Sequence, residues 1–209
     1  DEIKKDALKN VGKERKKALA PILNAKPAKS GPVFAAKPRE FVKNWTMADL
    51  KPLLASGLEG GRNFKNGRDS FGQTTCFACH RFGQEGGAIG PDLTSAAGKF
   101  SPHDFLEQII EPNKEISDQY GSMTFTMKDG SIIVGRIANL KGDNYRIITN
   151  LFAPGEMTII DSKKVKSVEP SKTSMMPPGL LNTLSDEDIL DLTAYVLSAG
   201  DPKHHMFAK

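Results

Sequence analysis

Cysteine is almost absent from this chain. Of 209 residues only Cys76 and Cys79 are cysteine, three positions apart. There is no second CxxC and no HxxxH, so a zinc site built on these thiols would lack a fourth protein ligand. Long apolar runs are missing as well. None approaches the roughly 18 residues that a membrane-spanning helix requires, so no transmembrane segment is expected. No signal peptide is visible, since the chain starts on charged and polar residues. Aromatic residues are scarce where positive charge is concentrated. Residues 1–44 carry 12 Lys/Arg against 5 Asp/Glu, a net of +7, while the remainder carries 17 against 20, a net of −3. Only Phe34 and Phe41 interrupt that basic arm, whereas single-stranded nucleic-acid binders interleave stacking rings with basic residues. No nucleic-acid partner is expected, and the arm reads as a solvated helix and linker.

What is present is concentrated in "TTCFACHRFG", residues 74–83, where His80 follows Cys79 directly. Three chemistries use two thiols and an imidazole at this spacing. Zinc could take all three groups but wants a further ligand or a water. A redox CxxC is expected just after a strand in a βαβ unit, which the preceding residues do not suggest. Covalent haem c uses the two thiols for thioether bonds and holds the adjacent histidine under the iron. A plain disulfide or a chance pentapeptide is the bland alternative. If haem c is attached, the chain works outside the cytoplasm, in the periplasm or an equivalent compartment. A cleaved signal or excision from a longer protein would then explain the abrupt start.

Periodicity divides the chain. Residues 2–19 read as a helix, and Pro21, Pro27, Pro32 and Pro38 make a semi-extended linker to about residue 40. Thr46 with Asp49 marks a helix through Leu54, and a second helix runs from about Asn63 to Gln73. The Gly-rich "GQEGGAIGPDLT" follows the cysteines. Ser101, Pro102 and Asp104 then open a helix that Pro112 stops, and Ser185 with Asp186, Glu187 and Asp188 opens the last one, ended by Gly200. Between these helical parts the period becomes 2. "SMTFTMKDGSIIVGRI" alternates around an Asp129-Gly130 turn, and "YRIITN", "EMTIID" and "KVKSVE" continue it. About five short strands over 119–168 predict a small barrel or a strongly curled sheet.

A low-spin haem needs a second axial ligand, for which the seven methionines and His103, His204 and His205 are candidates. "TSMMPPGLL" stands out, because Pro177 and Pro178 stiffen the chain just after Met175 and Met176. His80 and Met176 are 96 positions apart, and 46 once the 50 residues of 119–168 are set aside, a suitable scale for wrapping one haem.

Taken together, Gly67 and Phe71 ahead of CxxCH, "GPDL" after it, and a Met-Pro loop before a final helix with Tyr195 resemble the class I c-type cytochromes. The fuller set "NWTMADL", "CFACHRFGQEGGAIGPDLT", "EPNKEISDQY", "DGSIIVGRI", "SMMPPGLL" and "LTAYVLS" is similar to the planctomycete-type haem-binding cytochrome c domain, over roughly residues 42–199. The resemblance implies a mainly α cytochrome c fold at 45–118 and 169–200, with an inserted all-β module at 119–168. The whole is then α+β, with an N-terminal helix and linker at 1–44 and a tail at 201–209. It implies Cys76 and Cys79 as thioether residues and His80 and Met176 as iron ligands, because S-x-M-P-x-G-L maps onto Ser174, Met176, Pro177, Gly179 and Leu180. It further implies that the Pro91 carbonyl orients His80, that Gly90 allows close approach, and that Leu93 packs on the haem face. Phe71 and Tyr195 would meet where the first and last helices cross, with Gly67 permitting contact.

The function expected on these grounds is single-electron transfer by one haem c, without enzymatic turnover. The donor would be a periplasmic dehydrogenase and the acceptor another cytochrome or an oxidase. An alternative is a haem peroxidase or gas sensor with a labile Met ligand, which needs an open position on the iron.

Overall fold

A computed structural model describes residues 11, 12, 14–18 and 39–209, apart from 152 and 154. The chain divides into two compact units, 1–30 and 31–209. In the first, residues 14–18 are helical. Val11 and Gly12 are not helical, so the helix expected over 2–19 is not continuous there. The remaining residues of that helix, and the linker expected after it as far as residue 38, lie outside the described residues.

In the second unit each long helix starts where its end signals place it. Helix α1 (Met47–Leu54) opens on a capping box: the Asp49 N–H donates to the Thr46 hydroxyl and the Thr46 N–H to the Asp49 carboxylate. Helix α2 (Phe64–Gln73) is capped by the Asn63 side chain, which accepts from the Asn66 N–H. A single turn, α3 (Cys76–Cys79), follows it almost at once. Helix α4 (Pro102–Ile110) has Ser101 as its cap and proline at its start. Helix α5 (Asp186–Leu197) has a second capping box, Ser185 with Asp188, and three acidic residues at the positive end of its dipole.

Helices α2 and α5 cross at Gly67. A Cβ there would stand 2.2 Å from the Asp191 carbonyl oxygen and 2.8 Å from Tyr195 Cβ, so only glycine lets the backbones approach this closely. The crossing is stitched by the buried Asp191 carboxylate, which accepts from the Asn63 N–H and the Asn66 side-chain amide, both at 2.9 Å. Phe71 and Tyr195 do meet there, with ring centroids 5.9 Å apart, and Phe82 packs on both. Leu50, Leu106, Leu181, Leu184, Leu192 and Val196 complete this helical core. The C-terminal residues fold back onto it. The Gly61 N–H donates to the Ala208 carbonyl and the Arg62 N–H to the Met206 carbonyl, and Met206 is buried.

The Gly-rich loop contains a minimal hairpin, β1 (Arg81–Phe82) with β2 (Glu85–Gly86). The larger sheet lies in sequence between α4 and α5. Its strands are β3 (Met123–Met127), β4 (Ile132–Lys141), β5 (Asn144–Ile148), β6 (Met157–Asp161) and β7 (Val165–Pro170). They run antiparallel in the order β6-β5-β4-β3-β7. The β3–β4 turn is the expected one, with Gly130 at φ +87° and the Asp129 carboxylate accepting from the Ser131 N–H and hydroxyl. Phe125, Met127, Ile147 and Ile160 form a second core on the sheet's inner face.

The expected closure into a barrel does not occur. Among the described residues the edge strands β6 and β7 are not hydrogen-bonded neighbours. Only residues 162–164 separate them in sequence, a reach of about 14 Å at most, whereas the edges of a flat five-stranded sheet lie about 19 Å apart. The sheet is therefore strongly curled. At the seam the chain makes a 3₁₀ turn (Ser162–Lys164). Its first and last strands end side by side: Met123 pairs with Pro170, and the Ser171 N–H donates to the Ser122 carbonyl at 2.9 Å.

Candidate cofactor site

The loop after α3 folds back over the turn that bears the cysteines. The Gly87 N–H donates to the Phe77 carbonyl, and the N–H groups of Ile89 and Gly90 donate to the Cys79 carbonyl. This places Gly90 flat against the His80 ring, where a Cβ would come within 2.7 Å of Cε1. Next in the chain, the Pro91 carbonyl lies 2.8 Å from His80 Nδ1. A carbonyl can only accept, so Nδ1 carries the proton. In the neutral ring Nε2 then holds the lone pair that a metal takes. Burial holds His80 below its ordinary value, against the opposing pull of the Pro91 carbonyl, and so favours that neutral form.

Cys76 and Cys79 are not joined to each other. Burial pushes the Cys76 thiol up to about 11, although Thr74, with its hydroxyl 3.3 Å from the sulfur, pulls the other way. Burial also raises Cys79. Redox CxxC pairs work through a thiol whose value is lowered, so the environment here is the opposite of the one that chemistry needs. Among the described residues no group of three or more His, Cys, Asp and Glu side chains is arranged to hold a metal ion. The zinc reading therefore gains nothing from the fold.

Cys76, Cys79 and His80 border one cavity of about 230 Å³. Pro91 and Leu93 line it. The α4 residues Phe105 and Ile109 form another wall. Of the seven methionines only Met175 and Met176 border it, and Met176 also packs against the helical core. His103, His204 and His205, the other ligand candidates, are not among its walls. The methionine loop is tied down by Asn113, whose side-chain oxygen accepts from the Ser174 N–H at 2.7 Å. The Ser174 hydroxyl in turn accepts from the Met176 N–H at 3.1 Å.

An apolar cavity flanked by two separate thiols, an imidazole offering Nε2 and a thioether is a donor set that fits haem c. Comparison with known families adds an independent observation. Residues 64–141 match the family model described as Cytochrome c. The matched stretch runs from the first residue of α2 to the last of β4 and includes the CxxCH motif. It supports a c-type cytochrome, a haem-binding electron-transfer protein, and a cytochrome c domain implies covalently bound haem c. Met176 lies beyond the matched residues. No curated protein matches the chain.

Some of this site was not anticipated from sequence. Asn113 and Tyr120 stand in "EPNKEISDQY" and Arg136 in "DGSIIVGRI", segments that carried the resemblance without assigning these residues a role, and Leu151 gave no signal. Tyr120, Arg136 and Leu151 bring the sheet and its flanks to the cavity wall. Arg136 stands in "IIVGRI", where period-2 alternation marks a strand but does not say which neighbour a strand residue meets.

Proposed function

We propose that this protein carries single electrons through one covalently bound haem c held by His80 and Met176. The observation that carries the proposal is the meeting of Cys76, Cys79, His80 and Met176 on one apolar cavity, although 96 positions separate the two ligands. When bound, the haem supplies a one-electron iron couple whose potential is raised by a Met ligand and by burial. The chain's residues do the rest. Cys76 and Cys79 anchor the group by thioether bonds. The Pro91 carbonyl fixes the His80 ring and strengthens Nε2 as a donor. Met176, braced by Ser174 and Asn113, would offer its thioether as the second ligand. Leu93, Phe105 and Ile109 exclude water.

The several motifs shared with the planctomycete-type domain support that subclass, with the sheet as an insertion between the two ligand loops. Electrons would come from a periplasmic dehydrogenase and leave to a second cytochrome or an oxidase, in brief encounters over a small interface. Absorption spectra of the oxidised and reduced protein test the reading. Haem that survives denaturing extraction, a low-spin reduced spectrum and a weak sulfur-to-iron band in the oxidised state are expected. A high-spin spectrum without that band would refute His/Met ligation.

A further inference from the structure

The cavity walls are apolar with few exceptions, and the charged side chains among them are Glu115, on the segment after α4, and Arg136, on β4. Arg136 stands opposite Ile148 in the sheet, yet its guanidinium reaches out of the sheet to the helical part. One terminal nitrogen donates to the Ile89 carbonyl, in the loop that presses Gly90 on His80. The guanidinium carbon lies 5.6 Å from the centre of the Tyr120 ring. Both contacts fix its direction, and Ile89 and Tyr120 border the same cavity.

Neither contact neutralises its charge. Among the described residues no carboxylate forms an ion pair with Arg136 within 4.0 Å, and the acidic wall residue Glu115 is not its partner. A cation on an apolar cavity is costly unless an anion meets it there. A guanidinium has five N–H donors in a planar fork, so a single carbonyl leaves capacity for a carboxylate. Haem brings such carboxylates, since its otherwise apolar ring carries propionate groups at one edge.

We propose that Arg136 binds a haem propionate, so that strand β4 supplies a cofactor-binding residue and the sheet is part of the haem site. This rests on the haem c reading above. The paired cation also sets the potential. A positive charge near the iron disfavours the ferric state, which carries the extra positive charge, and so favours reduction.

The test uses the full-length holoprotein. Wild-type spectra first establish covalent haem and its ligands, and failure there refutes the haem reading before any variant is made. R136Q is then compared with R136K. In R136Q the haem stays attached, the sulfur-to-iron band stays, the reduction potential falls, and the propionate bending band in the resonance Raman spectrum shifts. In R136K the charge survives without the fork, so the potential stays near wild type while the Raman band still moves. If R136Q retains both the wild-type potential and the wild-type band, the proposal is wrong. If R136Q loses the sulfur-to-iron band, Arg136 is a brace for the Ile89 loop and the proposal is equally wrong. Should R136Q fail to fold, R136K decides alone, because an unmoved propionate band there overturns the idea.

Discussion

At the scale of single residues, the site depends on groups that leave almost no room for replacement. Gly90 is one. A methyl group there would stand 2.7 Å from the His80 ring and push it away from the Pro91 carbonyl. Gly90→Ala is expected to lower stability by about 1–3 kcal/mol through overpacking and to alter the spectrum of the oxidised state. Thermal unfolding and absorption measured on the same sample check this, and a variant normal in both would show that the ring has slack. The methionines give a sharper comparison. Pro177 restricts the backbone of Met176 by disfavouring helical dihedrals there, and the Ser174 hydroxyl takes its N–H. Met176→Ala should abolish the sulfur-to-iron band and lower the potential. Met175→Ala, at a half-buried side chain, should keep the band and cost about 2 kcal/mol or less in packing. The reverse pattern would exchange their roles.

At the scale of elements, the helices were legible because their ends are written locally. Thr46 with Asp49, Ser101 with Pro102, and Ser185 with Asp188 each act within one turn of chain, and all three caps form. The β1–β2 hairpin was not legible, since two-residue strands carry no usable period. Open or closed edges of the larger sheet could not be read either, because alternation fixes which face is buried and not which edges meet. The cap of α5 also carries a pH dependence. Partial burial would raise Asp188, but Asn66, the Ser185 N–H and hydroxyl, and Arg39 outweigh it and hold the carboxyl below its usual 3.8. A depressed native value means that the folded state binds this proton less readily than the unfolded chain. The stabilisation is complete above pH 3.8 and is lost as pH falls through the native value. Asp188→Asn should therefore flatten the fall in melting temperature over that acid window, and an unchanged acid limb would show that other carboxylates govern it.

At the scale of the whole molecule, two cores serve one site: the helical core holds the CxxCH turn, and the curled sheet closes one side of the cavity. Replacing residues 123–170 by a short Gly-Ser linker is expected to leave haem attachment intact, because the CxxCH turn and the loop that folds over it lie elsewhere. The potential should change, because Arg136 goes with the sheet. A potential identical to wild type would mean that the sheet is a bystander. Such a replacement is geometrically simple because Met123 and Pro170 already lie side by side. The same closeness governs how the chain finds its shape. Consecutive hairpins join β3 to β6, so most of the sheet assembles from near neighbours, the quick kind of contact. Once its two ends are pinned together, the search that brings Met176 to His80 spans about half the chain it otherwise would. Each halving of a flexible loop is worth only about 0.6 kcal/mol in closure entropy, so the sheet burdens that search very little. It predicts an order of events: the sheet forms early, and the closing of the methionine loop over the haem is the late step, whose rate should be nearly insensitive to the length of the β4–β5 and β5–β6 turns.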